Sequence, residues 1–218
     1  MQWDELDYWQ CGEWQVVQER LEAIEAAGKT FNPERQNLFN ALDATPFDKV
    51  KVVMMGQDPY PDPKYATGLA FSIPSKFQDK AIPSSLITIF QEYCRDLHYP
   101  MPPNGNLTKW AERGVLLWNA IPSCLSYKSM SHNWHEWSLL TKEIVQKLNT
   151  KGVVFILVGS VARQYESLID DNSEVIWTSH PSPRGQMSAR VPFLGSRIFS
   201  TANEKLIYQG LEPIDWLL

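Results

Sequence analysis

Residues 50–72 read VKVVMMGQDPYPDPKYATGLAFS. The first six residues are apolar apart from Lys51, which suggests a strand covered on both faces, as in a parallel sheet. The run breaks at Gly56 and delivers Gln57, Asp58 and Tyr60 within one turn, stiffened by Pro59 and Pro61. Gly68 then precedes an aromatic residue, Phe71. A buried strand that opens into a rigid loop carrying an amide, a carboxylate and a phenol has the layout of an active-site floor.

Three further apolar runs follow: residues 115–118, 153–158 and 174–178. Each is followed by a polar or glycine-containing turn: Asn119, Gly159-Ser160, and Ser179-His180-Pro181-Ser182. Between and around them lie stretches with helical spacing, at 13–27, 84–97, 107–113, about 137–148 and in a last helix containing Ala202, Leu206 and Ile207. Asn32-Pro33 has the form of a helix start, with asparagine as cap and proline at the first helical position. Strands alternating with helices predict an α/β fold: a single domain with a central four-stranded, mainly parallel sheet flanked by helices. The reading divides residues 1–218 into an N-terminal helical part, 1–49, and an α/β core, 50–218. Trp3, Tyr8, Trp9, Ile214 and Trp216 are expected to pack the two termini onto it.

The chain has 218 residues, 44% of them hydrophobic and 21% charged, enough for a full core without disulfide or metal staples. Its formal net charge of −5 argues against holding nucleic acid by bulk positive charge. Any such contact must be local, through backbone N–H groups, hydroxyls and a few cations. Cys11, Cys94 and Cys124 form no metal-binding spacing and are expected to be free buried thiols of a reducing compartment. No apolar run is long enough to span a bilayer and the start lacks a signal-like segment, so a location inside the cell is expected.

Ligands of such sheets bind outside the carboxyl ends of the strands. That rule collects Asp58, Asn119 and His180 on one rim, although they are far apart in sequence. No nucleophile elbow, phosphate-binding loop or metal cluster occurs; neither a metal nor a cofactor is expected. The inventory suits a planar heterocycle, with Phe71 to stack on it, Asn119 and His180 to bond its edges, and Asp58 beside a developing positive charge or a water. Singly, each residue has a structural reading as well: Asp58 as turn former, Phe71 as core, Asn119 as cap, His180 as packing. Their coincidence at strand ends favours a site.

These residues also carry a resemblance. Gly56-Gln57-Asp58-Pro59-Tyr60 with Gly68-Leu69-Ala70-Phe71-Ser72, then residues 81–86 (AIPSSL), 114–119 (GVLLWN), Gly159-Ser160 and His180-Pro181-Ser182-Pro183, resemble in order the motifs of family-1 uracil-DNA glycosylases. The resemblance implies hydrolysis of the N-glycosidic bond of deoxyuridine in DNA, without lyase activity, as the first step of base-excision repair. By position, Asp58 stabilises the sugar cation and places the water, and His180 bonds O2 of the leaving base. Gln57, Tyr60, Phe71 and Asn119 hold, filter, stack on and read the uracil. Ser85, Ser160 and Ser182 grip phosphates; Met187 is the expected wedge, with Arg184 its competitor. The implied partner is uracil-containing DNA, single- or double-stranded, bound by a monomer, with a proteinaceous inhibitor or a replication protein as further possible partners.

Departures from the family pattern are specific. Pro61 stands where a histidine is usual, Trp118 where a leucine is usual, and Arg184-Gly185-Gln186 interrupt the wedge loop. They leave two competing readings: a DNA-binding or replication-accessory protein on the same fold, with altered activity, and a glycosylase for another base.

Overall fold

The computed structural model describes residues 2–78, 81–183, 185 and 190–218. Arg184 and Met187, expected at the wedge, lie outside the described residues. The main sheet has four parallel strands, β2 (Val52–Gly56), β3 (Val115–Asn119), β5 (Val154–Val158) and β6 (Glu174–Thr178), in the order β3-β2-β5-β6. A separate two-stranded antiparallel ribbon pairs β1 (Phe31–Asn32) with β4 (Cys124–Leu125).

The continuous apolar reading of β2 has a direct cause. Alternate side chains point to opposite faces of a strand, and here both faces are covered. Val53 and Met55 join Leu116, Trp118, Phe155 and Leu157 in a core with α1 (Glu13–Ala26), α2 (Asn40–Ala44) and α5 (His135–Asn149). Val52 and Met54 join Leu117, Ile156 and Val158 in a second core with α3 (Ser84–Leu97), α4 (Thr108–Glu112) and the last helix, α7 (Ile198–Tyr208). Among the described residues no helix is long and apolar enough to cross a membrane.

Both termini dock as expected. The Trp3 indole donates to the Thr45 carbonyl at 2.8 Å. The Glu143 carboxylate on α5 accepts the backbone N–H groups of Asp7 and Tyr8. At the other end Trp216 is buried, and its carbonyl accepts the Trp110 indole N–H at 2.7 Å.

Two expectations are corrected. Asn32-Pro33 does not start a helix: Asn32 lies in β1, its peptide bond to Pro33 is cis, and the segment that follows holds only a 3-10 turn at Arg35–Asn37 before the five-residue α2. The Asn32 amide is committed elsewhere, donating to the carbonyls of Tyr60 and Pro61 at 3.0 and 2.7 Å. Of the three free thiols only Cys124 is buried; Cys94 is half-buried and Cys11 exposed.

Behind the ribbon a buried histidine anchors the long connection between β4 and α5. His132 is 1% exposed and stacks on Trp134, with ring centroids 4.1 Å apart. The Trp137 indole donates to Ser123 Oγ at 2.9 Å, and the serine hydroxyl shares a 2.8 Å hydrogen bond with His132 Nδ1. Burial pulls the His132 pKa down to about 4. The folded value lies below the unfolded value of about 6.5, so the unfolded chain binds the extra proton. The stabilising contribution of neutral His132 is complete above about pH 6.5 and lost as pH falls towards 4, amounting to about 3 kcal/mol. Urea denaturation at pH 7, 6, 5 and 4 should show this loss, and His132→Asn should remove it; identical slopes for the two proteins would contradict the assignment.

Candidate active site

The sheet's register sets the floor of the site. Gly56, the last residue of β2, pairs with Asn119, the last of β3. A Cβ on Gly56 would lie 2.9 Å from Asn119 Oδ1 and 3.0 Å from the Phe71 ring. A side chain on Gly56 would therefore displace the amide or the ring from its place over the strand ends. The ladder continues beyond the strands: Ala120 N–H donates to Gly56 O at 3.0 Å and Ile121 N–H to Gln57 O at 2.9 Å.

The loop 57–61 is held by its carbonyls. Cys124 Sγ donates to Pro59 O at 3.6 Å, the Asn32 amide to Tyr60 O and Pro61 O, and Tyr127 N–H to Pro61 O at 2.6 Å. Burial, and next the charge of Asp58, push the Cys124 thiol up to about 12, so it serves here as a neutral donor. Local proline stiffness accounts for only part of the loop's order.

Asp58 accepts three hydrogen bonds. Gln57 Nε2 reaches Oδ1 at 2.9 Å, while Ser129 Oγ and Met130 N–H reach Oδ2 at 2.7 and 2.6 Å. Tyr60 donates its hydroxyl to Phe71 O and shares a 3.2 Å hydrogen bond with Ser85 Oγ at the start of α3. Burial drives the phenol's pKa well upward, and it stays neutral.

Phe71 has φ +64°, a conformation costly for a bulky residue. It is held by the neighbouring Ala70 N–H bond to Leu117 O and by Gly68, at φ +87°, where a Cβ would strike Asn37 O. Its ring centroid lies 6.3 Å from that of His180, with the planes inclined at 46°.

His180 follows β6. Its Nδ1 accepts the Ser182 backbone N–H at 3.1 Å, so the neutral ring carries its proton on Nε2. Burial lowers its pKa and outweighs the opposing effect of the Asp58 charge.

These groups enclose one cavity of about 290 Å³, lined by Gln57, Asp58, Tyr60, Phe71, Ser85, Asn119, Ser129, His180 and Ser182 among others. The Asn119 amide is buried and makes no hydrogen bond to any described residue. Among the described residues expected at the site, Ser160 lies beside the cavity and not in its lining. It opens the short α6 (Ser160–Arg163) and borders a shallower depression with Arg163 and Trp177. Several participants escaped the sequence reading: Asn32, Cys124 and Tyr127, which hold the loop, and Ser129 and Met130, which bond Asp58. No local pattern marks these roles, since each is played across a long sequence separation.

The comparisons with known proteins all point to one family. The family model described as the uracil DNA glycosylase superfamily matches residues 42–207. The uracil-DNA glycosylase of Thermobifida fusca (strain YX) is 44% identical over 195 residues, covering 88% of this chain and 82% of the relative. That of Campylobacter hominis is 41% identical over 203 residues, covering 92% and 83%. Among solved structures, the mimivirus uracil-DNA glycosylase superposes with a TM-score of 0.87 at 25% identity, over 97% of this chain and 85% of the other. A point variant of mimivirus UNG in complex with UGI gives the same score. Sequence, fold and cavity thus agree that the chain belongs to the uracil-DNA glycosylase superfamily.

Proposed function

We propose that the chain is a monofunctional uracil-DNA glycosylase, which hydrolyses the bond between uracil and deoxyribose and leaves an abasic site. The observation that carries the reading is the Asn119 amide, uncommitted to other described residues, in a cavity shared with an aromatic ring, a neutral imidazole and one carboxylate. An amide offers a donor and an acceptor side by side, the complement of the O4 and N3–H edge of uracil. Open to the cavity and uncommitted to other described residues, the amide is available to a base that matches it, which gains in discrimination. Tyr60, neutral and fixed by Ser85 and Phe71 O, supplies a wall against the C5 methyl of thymine.

The target bond is out of reach inside a duplex, so the nucleotide must leave the stack. As the C1′–N1 bond breaks, its electron pair moves onto the uracil ring and the sugar becomes oxocarbenium-like. His180 Nε2–H donates towards O2 of the departing anion, and the Asp58 carboxylate faces the cationic sugar. Water then adds to C1′ and loses a proton, and the uracil anion is protonated by solvent. A preorganised donor and a carboxylate in a water-poor cavity stabilise both charges. No lysine is among the described residues lining the cavity, which supports simple hydrolysis over imine formation with the sugar. Hydroxyls of Ser85 and Ser182 at the mouth suit phosphate contacts, and Ser160 extends that row onto the adjacent surface. UGI in the complex with mimivirus UNG supports the further proposal that a proteinaceous inhibitor can bind here.

A labelled oligonucleotide with one uracil, incubated with the protein and then treated with alkali, tests the reading in single- and double-stranded form. Cleavage should follow alkali treatment only; intact substrate at enzyme excess would overturn the proposal. Asp58→Asn should slow excision by at least about 10²-fold with the fold retained. Asn119→Asp should lower uracil excision by about 10²-fold and make cytosine excision detectable in the same assay.

The state of His180 adds a pH test. Its pKa is lowered from the ordinary value of 6.5, so the ring is neutral at pH 7 and protonates only at more acidic pH. The excision rate should stay flat as pH falls from 8 to about 6.5 and decline below that. A decline centred above pH 6.5 would contradict a neutral His180.

A further inference from the structure

The Asp58 carboxylate is served by a turn that the known motifs do not include. Between β4 and α5, Tyr127 and Met130 both adopt left-handed backbone conformations, with φ +63° and +61°. The turn is tied down by Leu125 N–H to Ser131 Oγ, by Ser131 Oγ to Lys128 O, and by Tyr127 N–H to Pro61 O. Its middle residue, Ser129, lines the cavity and donates Oγ–H to Asp58 Oδ2 at 2.7 Å, beside the Met130 N–H on the same oxygen. Gln57 Nε2, already on Asp58 Oδ1, also approaches Ser129 Oγ at 3.3 Å.

We infer that Ser129 is a positioning residue for the reaction, fixing the rotation of the Asp58 carboxylate and offering a partner to the attacking water. This inference rests on the glycosylase reading above. A hydroxyl has one proton and two acceptor sites. The proton goes to Asp58 and one acceptor site to Gln57, leaving one acceptor site on the cavity side. A water lodged there can direct one hydrogen to Asp58 and the other to Ser129, which turns its oxygen lone pairs towards the sugar carbon. Pro61 cannot take this part: it has no N–H and no polar side chain, and its carbonyl is occupied by Asn32 and Tyr127. In the free protein Ser129 is exposed. Bound DNA would cover the mouth and exclude competing water, so the hydrogen bond to a charged acceptor strengthens when the substrate is in place.

The test is steady-state and single-turnover excision on a uracil oligonucleotide by wild type, Ser129→Ala, Ser129→Thr, Asp58→Asn and the Asp58→Asn/Ser129→Ala pair. Ser129→Ala should lower kcat about tenfold with KM within about twofold. Ser129→Thr, which keeps the hydroxyl, should recover most of that loss. The pair should be no slower than Asp58→Asn alone, because the serine acts through the carboxylate. Wild-type kcat in Ser129→Ala, a change confined to KM, failure of threonine to rescue, or multiplied losses in the pair would each overturn the role of Ser129. Absence of excision by the wild type would instead overturn the glycosylase reading and this inference with it.

Discussion

The site depends on a missing Cβ. Two parallel strands end at the same level, and over that end an amide from one side and a phenyl ring from the other leave too little room for a side chain on Gly56. A methyl group there would meet both at once. The amide or the ring would have to turn aside from its place over the strand ends, although the Asn119 backbone is held by its register in the sheet. The Phe71 backbone is held in an unfavourable conformation by flanking hydrogen bonds and by a glycine pressed against residue 37. Such strain is sustained only where the surrounding structure over-determines it, and it concentrates at functional sites.

Around that floor the groups capable of charge are kept neutral, with one exception. Burial disfavours the phenolate of Tyr60, the thiolate of Cys124 and the imidazolium of His180. Asp58 is the one carboxylate, and no lysine or arginine appears, among the described cavity-lining residues. A single negative charge in a wall of neutral dipoles is suited to a reaction whose cation forms on one side and anion on the other. A cationic residue beside Asp58 would neutralise the carboxylate before the sugar could use it. The same design accounts for the acidic chain. The mouth offers hydroxyls in place of cations, so affinity for the DNA backbone need not come from bulk charge.

The sheet was legible in the sequence because burial on both faces writes itself as unbroken apolar runs, and the crevice rule then collected Asp58, Asn119 and His180 correctly. What escaped were contacts made across long stretches of chain. Asn32 before a proline carries a local code for a helix cap, yet its amide holds the loop 57–61, nearly thirty residues on. Ser129 and Met130 sit in a stretch with no periodicity, and only the tertiary turn brings them to Asp58. Ser160 follows β5 on the same edge of the sheet, and the first turn of α6 directs it to the adjoining surface.

The far side of the rim is controlled by a pair of buried carboxylates on α3. Glu92 is fully buried and forms no ion pair with any described residue. It accepts instead the backbone N–H groups of Gly195 and Arg197. One turn further, Asp96 accepts the N–H groups of Phe199 and Ser200 at the start of α7 and the Ser200 hydroxyl. A buried charge is tolerated only when its hydrogen-bonding capacity is met, and a helix N-terminus meets it with dipoles as well as donors. The helix that presents Ser85 to the cavity at its first turn therefore also secures, at its later turns, the chain returning from His180 and Ser182. Displacing α3 would disturb the Tyr60–Ser85 hydrogen bond and the seat of that returning segment together. This makes α3 the mechanical link between the cavity wall at Tyr60 and the segment 195–200.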